Sequence, residues 1–298
     1  MPMQNLQFGI ITIQSKPWEK LVQEWTNTET FGYDSIWVAD HFVDYNQPTS
    51  PFFEGWTTLT GLAALTTKIR IGTLVTTISL RHPAVLARQA LTVDHLSNGR
   101  LNLGIGAGAP SSEGEIVYEM LGLEDRKRGA QVAHFKEQIE IIDLLLRKRV
   151  SSYSGKYYNL KDVAMYPPPI QQPRPPIIIG GIRSKMLKIA VKYADTWNSY
   201  GGINLNAEEL FKSISHQVEL IEDYCKELGR DSSSLRKSIL TYGPEAHTIY
   251  DSEDNFLRYF EKYNDIGFTE FILYYPWKHE QMPIFEKIAK EIIPDLKS

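Results

Sequence analysis

Cysteine is nearly absent: Cys225 is the only one in 298 residues, so no disulfide can form within the chain. The run leading to it, Val218-Glu219-Leu220-Ile221-Glu222-Asp223-Tyr224-Cys225, spaces its apolar residues as an amphipathic helix does, and Cys225 reads as a packed thiol. Long hydrophobic runs are missing as well. None approaches the roughly 18 apolar residues of a membrane span. The opening Met1-Pro2-Met3-Gln4-Asn5 has neither the charged start nor the apolar stretch of a secretion signal, so a cytoplasmic location is expected. Positive charge is not in excess either: the formal net charge is −4. Nucleic-acid binding calls for a basic face. The densest basic groups, Arg126-Lys127-Arg128 and Arg147-Lys148-Arg149, read as solvated helix surface. Neither nucleic acid nor a membrane is expected as a partner, and no metal site is assigned.

What the chain has is a repeated alternation. Eight short apolar stretches read as strands: Phe8 to Ile13, Ser35 to Ala39, Arg70 to Thr76, Leu101 to Gly106, Pro176 to Gly180, Thr196 to Ser199, Ser238 to Tyr242 and Thr269 to Tyr274. The second, fifth and eighth are almost continuously apolar, as strands of a parallel sheet covered on both faces must be. Between them lie helical patterns such as Pro83 to Leu96, Ala130 to Leu146, Leu187 to Tyr193, Glu208 to Leu228 and Asp254 to Tyr263. This is an α/β chain, and eight strand–helix repeats over about 250 residues or more fit a closed (β/α)8 TIM barrel better than an open sheet. An open doubly wound sheet shares the same periodicity. Two stretches interrupt the rhythm and read as insertions at the C-terminal face, where long loops serve as lids or binding loops. One is the polar segment from Ala109 to Arg128. The other runs from Ser151 to Pro175 and holds Tyr157-Tyr158 and Pro167-Pro168-Pro169. Nothing in the composition separates a second domain from residues 1–298.

Active sites of such barrels sit at the carboxyl ends of the strands. The second strand ends in Asp40-His41, the third in Leu74-Val75-Thr76-Thr77, the fourth in Gly104-Ile105-Gly106-Ala107-Gly108 and the fifth in Gly180-Gly181. His41 is the first catalytic candidate, since an imidazole there can bond a cofactor and shuttle a proton near neutral pH. Asp40 beside it either fixes the loop or bonds the cofactor. The plainer alternative is a loop-capping Asp with a satisfied, partly buried His. Gly104-x-Gly106-x-Gly108 lacks the third spacing of a dinucleotide fingerprint, and Pro110-Ser111-Ser112 does not announce a helix. Small residues there let a flat ring approach the backbone. Gly180-Gly181 precedes Arg183-Ser184-Lys185-Met186-Leu187, a plausible helix start whose bare amides suit a phosphate. Barrels more often hold phosphates after the seventh and eighth strands.

Taken in order, these motifs resemble the luciferase-like oxidoreductases. The matching segments are Phe31 to Phe42, Arg81-His82-Pro83-Ala84-Val85-Leu86-Ala87, Leu96-Ser97-Asn98-Gly99-Arg100 through Gly108, Pro175 to Gly181, and Ala194-Asp195-Thr196-Trp197-Asn198. The resemblance implies a (β/α)8 barrel holding the deazaflavin F420 or FMN, a small-molecule substrate, and a homodimer. It also implies a non-proline cis peptide at Leu74-Val75, with Thr76 or Thr77 adjacent. Gly106, Ala107 and Gly108 would approach the ring or its tail, Gly180 and Gly181 the phosphate, and Asp40 and His41 the deazaflavin itself. Asp40-His41-Phe42 and Arg81-His82-Pro83-Ala84 look like the F420 branch. FMN monooxygenases, fed reduced flavin by a separate reductase, more often carry Glu-His-His at the first place. One departure stands out: the catalytic Glu of the F420-dependent sugar-phosphate dehydrogenases is replaced by Ala109, which argues against a sugar-phosphate substrate, with Glu113 the nearest substitute. Trp37, Trp56 and Phe42 are candidate pocket walls.

Overall fold

The structure, a computed structural model, describes residues 5–45, 47–108, 111–123 and 128–298, with the side chains of residues 79, 111–115 and 128 outside the description. Strand–helix alternation runs through the first half: β1 (Gln7–Thr12), α1 (Trp18–Phe31), β2 (Ser35–Asp40), α2 (Gly55–Leu65), β3 (Arg70–Thr77), α3 (Pro83–Leu96), β4 (Leu101–Gly106), α4 (Ser111–Leu121) and α5 (Arg128–Arg147). A two-stranded interlude follows, β5 (Val150–Ser154) and β6 (Asn159–Ala164). The alternation resumes with β7 (Ile177–Gly180), α6 (Ser184–Tyr193), β8 (Thr196–Ser199), α7 (Ala207–Leu228), β9 (Arg236–Leu240), α8 (Pro244–Thr248), α9 (Glu253–Asn264), β10 (Glu270–Tyr274), α10 (Met282–Lys287) and α11 (Ile293–Lys297). Eight strands close into one parallel barrel in the order β1-β10-β9-β8-β7-β4-β3-β2. Closure excludes the open sheet that periodicity alone allowed. Among the described residues no helix is long and apolar enough to cross a membrane.

Alternation along each strand divides the apolar residues into two clusters. Phe8, Ile10, Ile36, Val38, Leu103, Ile177, Ile179, Phe271 and Leu273 face outward, against the helices. Ile11, Trp37, Leu74, Ile178 and Ile272 form a separate inner cluster, the filling of the barrel. At the amino end of the barrel the filling becomes polar. Glu270 is buried there, its carboxyl pushed up by burial and held down by the charges of Arg236 and Arg70 and a hydrogen bond from Ser238.

Both insertions carry regular structure where loops were expected. The first contains α4, whose start at Ser111 corrects the reading that Pro110-Ser111-Ser112 opens no helix. Ala109 lies outside the described residues, as does the side chain of Glu113. The second forms the antiparallel hairpin β5–β6, with Ser151 opposite Val163. Its turn is held from α5: the Glu137 carboxylate accepts the backbone N–H groups of Lys156, Tyr157 and Tyr158 at 2.8–3.1 Å. The proline-rich run beyond it is pinned by buried Asp94, which accepts from the amides of Ile170 and Gln171.

The Leu96-Ser97-Asn98-Gly99-Arg100 motif lies at the amino end of β4, far along the strand from the mouth. Asn98 (φ 54°) and Gly99 (φ 80°) make the left-handed turn out of α3. Arg100 then donates to the carbonyls of Ser97, Ala63, Thr66 and Ile69 and to the Thr66 hydroxyl, satisfying the carboxyl end of α2. Arg100→Ala is expected to lower unfolding stability by about 3 kcal/mol, because several carbonyls lose a charged donor at once. Arg100→Lys should restore less than half of that, since an ammonium cannot reproduce the planar fork. Urea denaturation reads both: the midpoint falls while the slope stays constant.

Candidate functional site

The carboxyl ends of the strands gather the chemistry. Above the inner cluster sit Ile13, Val75, Leu240 and Tyr274, packed on it yet only half-buried, so the barrel filling ends in an apolar layer open to the mouth. The peptide bond between Leu74 and Val75 is cis. Val75 lies between two glycines of neighbouring strands. A side-chain carbon built on Gly106 would come within 2.7 Å of Val75 Cγ2, and one on Gly180 within 3.1 Å of Val75 Cγ1. The bare backbones of β4 and β7 thus let Val75 lie flat at the mouth. Thr76 and Thr77 follow, both buried, with Thr77 in register with Gly106.

Asp40, the last residue of β2, is buried and takes both arms of Arg81, with Nη1 to Oδ2 at 2.5 Å and Nη2 to Oδ1 at 2.9 Å. Arg81 Nη2 also reaches Glu54 Oε1 at 2.5 Å. Burial raises the Asp40 carboxyl pKa, and the hydrogen bonds and charge of Arg81 oppose that rise. Thr76 joins the cluster through Asp40 and through Trp56, whose Nε1 donates to Thr76 Oγ1 at 3.0 Å. The Thr76 hydroxyl lies 2.8 Å from that of Thr73, which donates to the Gly104 carbonyl. One polar chain therefore ties the tops of β2, β3 and β4 together. Gln14 secures the other edge of β2, accepting from the Ala39 amide and donating to its carbonyl.

His41 stands next to this chain but belongs to an aromatic stack. Its ring lies 4.4 Å from Tyr45 and 6.2 Å from Phe52, nearly parallel to both. Burial in that stack lowers its pKa to about 4, and the nearby Asp44 charge only partly opposes this. The imidazole is therefore neutral at physiological pH. This differs from the expectation of a group titrating near neutrality, because the sequence shows the strand end but not the two rings that close over it.

On the far side of Val75, Gly180-Gly181 leads into α6 as expected. Gly181 donates its N–H to the Asn198 carbonyl and accepts from Trp197 Nε1. The helix has no side-chain cap at its Arg183 N-cap, so its leading amides carry no capping bond. Gly108 has φ 110°, and the Ala107 carbonyl accepts from Gln131 Nε2.

The expected strand-end residues are thus brought to one end of the barrel, whereas the three expected pocket walls are placed otherwise. Trp37 is not a pocket wall: it is fully buried in the inner cluster, its Nε1 bonded to Ser35. Trp56 is likewise buried and bonded to Thr76. Phe42 is 49% exposed, beside the mouth's sequence but turned toward solvent. Arg81 and Glu54 were missed as partners of Asp40. In the sequence Arg81 reads only as the entry to a helix, and no local signal pairs residues 41 positions apart. Tyr274 could have been found, since it lies two residues beyond inner Ile272 on the same face.

Residues 4–265 match the family described as luciferase-like monooxygenase. An F420-dependent glucose-6-phosphate dehydrogenase from Amycolatopsis mediterranei is 30% identical over 215 residues, 70% of this chain and 62% of that enzyme. The chain spans about three fifths of the length of the curated relatives it matches. Among solved structures, an F420-dependent secondary alcohol dehydrogenase in complex with an F420–acetone adduct superposes with a TM-score of 0.79 at 17% identity, over 96% of this chain and 99% of that one. The coenzyme F420-dependent tetrahydromethanopterin reductase from Methanopyrus kandleri gives 0.78 at 20% identity, over 98% and 99%. At such identities the superpositions establish the shared barrel.

The His41 environment has a measurable sign. An unfolded imidazole takes up its proton near pH 6.5, whereas folded His41 resists it until about pH 4. Its contribution to stability is complete above pH 6.5 and is lost as pH falls through that window. Thermal melts from pH 6.5 to 4 should show the wild type losing stability faster than His41→Gln, by at most about 1.4 kcal/mol per pH unit. Parallel curves would mean that the imidazole is not desolvated.

Proposed function

This chain belongs to the luciferase-like monooxygenase family, and from that premise we propose that it is an F420-dependent oxidoreductase, moving a hydride between the deazaflavin and a small organic substrate. The observation that carries the reading is the bed formed by Val75 between Gly106 and Gly180, with His41 and Asp40 at its edge. A flat tricyclic ring needs a smooth apolar support that reaches the backbone, and the two missing side chains provide one. The tail end is suited to phosphate, because α6 begins without a side-chain cap beside Gly181, Arg183 and Lys185.

When bound, F420 supplies a two-electron hydride acceptor or donor at a single ring carbon. The rest falls to the chain. Val75 supports the ring face, with Leu74, Thr76 and Thr77 in the same strand end. Gly106, Ala107 and Gly108 border it, and Gly180 and Gly181 lead to its phosphate. Asp40, with both oxygens on Arg81, would hold the end of β2 and His41 beside the ring's polar edge. His41 is held in its neutral form, which can accept the hydroxyl proton that an alcohol substrate must release, or donate its one N–H to a carbonyl oxygen.

The same reading takes residues 1–298 as one barrel domain acting in the cytoplasm as a homodimer, with a separate F420 reductase renewing the cofactor. Support for the dimer comes from α2 and α3, whose outer faces carry exposed Thr57, Thr60, Ala64 and Leu65 beside Val85, Thr92 and Leu96, with Arg88 the exposed charge among them.

Titration of the apoprotein with F420 and with FMN, followed by tryptophan fluorescence, tests the cofactor. F420 is expected to bind more tightly, and Gly106→Leu, which would force Val75 out of its place, should weaken that binding at least about tenfold. Gly180→Asp should do the same by placing a negative charge at the tail. Preference for reduced FMN, with oxygen uptake, would replace this reading with a monooxygenase fed by a flavin reductase.

A further inference from the structure

The mouth of the barrel is built from two unlike halves. In the closed strand order β9 lies directly opposite β3, so whatever β8, β9 and β10 present faces the Val75 bed. They present tyrosines. Tyr200 follows the end of β8, Tyr242 lies two residues beyond Leu240 of β9, and Tyr274 closes β10. Extending the register, in which Ser199 pairs with Ile239 and Leu240 with Ile272, sets Tyr242 level with Tyr274 and Tyr200 level with Leu240, two residues before Tyr242. Tyr200 and Tyr242 meet edge to face at 5.4 Å, and Tyr274 extends the surface to Trp277 at 5.2 Å. All three tyrosines are half-buried, the state expected of rings lining an open cavity rather than filling a core.

Charge is the second observation. Residues 200–206, after β8, and 241–244, after β9, include no ionisable Asp, Glu, Lys, Arg or His. After β1, Lys16 is bound to both oxygens of Glu24. After β10, Lys278 is exposed beyond Trp277 in the chain. His247 of α8, exposed, packs on Trp277 at 5.8 Å. Among the described residues, this half of the mouth therefore offers a broad aromatic surface and no buried cation. A phosphate or carboxylate placed there would give up its hydration without a charged partner, at a cost of several kcal/mol. An uncharged ring loses little and gains the burial of its apolar area, at about 25 cal/mol per Å².

Resting on the hydride-transfer reading above, we infer that the Tyr200–Tyr242–Tyr274 arc is the substrate wall, and that it selects an uncharged cyclic alcohol or ketone over a phosphorylated or carboxylated substrate. Oxidation of such an alcohol breaks the carbinol C–H and O–H bonds. The C–H hydrogen and its two electrons pass to F420 as hydride, the hydroxyl proton goes to a base, and a C=O bond forms. Burial raises the Tyr274 phenol pKa further above its ordinary value, with Tyr242 adding to the effect, so the group stays a hydrogen-bond donor toward that oxygen.

Calorimetric titration separates the inference from its premise. With the protein saturated in oxidised F420, cyclohexanone is expected to bind at least about tenfold more tightly than glucose 6-phosphate. Tyr242→Ala should weaken cyclohexanone about fivefold or more while the F420 affinity stays within about twofold. Tyr242→Leu gives the same comparison should the alanine variant fold poorly. Equal or tighter binding of glucose 6-phosphate overturns the inference, as does unchanged cyclohexanone affinity in a folded Tyr242 variant. Failure of F420 to bind would count against the cofactor reading alone, and the same two ligands titrated into the cofactor-free protein would then decide the wall.

Discussion

The pairing of buried Asp40 with half-buried Arg81 is the constraint on which the rest of the mouth depends. A carboxylate without solvent at the end of β2 would cost several kcal/mol if left alone. The two-armed guanidinium makes it tolerable, and Glu54 holds that guanidinium from the other side. Pairing fixes more than a charge. Asp40 is bonded to Thr76, Thr76 to Trp56 and Thr73, and Thr73 to the backbone of Gly104. The tops of three strands are thereby held in one arrangement, with His41 one residue beyond the pair and Val75 one residue before Thr76. A shift of Arg81 would be felt at both.

Two glycines and three tyrosines then divide the space. Where Gly106 and Gly180 leave the backbone bare, Val75 can lie flat and a planar group can approach. Across the barrel, tyrosines stand at or just beyond the ends of β8, β9 and β10. The contrast comes from residue size at the ends of opposite strands, above the apolar layer of the barrel filling. A barrel places the ends of all its strands in one ring, so such differences around the ring are enough to give one cavity two chemically distinct walls.

The most specific sequence match, Leu96 to Gly108, spans two different duties. Its first part, through Arg100, is scaffold at the amino end of the barrel, where Arg100 satisfies the carbonyls of α2 and the turn after α3. Its last part, from Gly104, lies at the mouth, in the candidate site. The intervening strand carries one to the other across the whole barrel. Signature residues of this kind therefore identify the family without all of them touching its chemistry.

The sequence by itself determined the eight strands, the helices α3, α5, α6, α7 and α9, and the strand-end residues of the candidate site, because hydrophobic alternation and the rule that barrel chemistry sits at carboxyl ends are both local properties. Asp40, His41, Leu74 to Thr77, Gly106 and Gly180 could be named for that reason. Tertiary structure alone decided closure of the barrel, since strand order leaves no trace in periodicity. It alone decided that Arg81 braces Asp40, that Tyr45 and Phe52 enclose His41 and hold it neutral, and that Trp37 and Trp56 support the site from within the core. Each of these depends on which residues meet across strands and loops. A side chain's identity is written in the sequence, but its solvent exposure and its charged neighbours, which set its chemistry, exist only once the chain has folded.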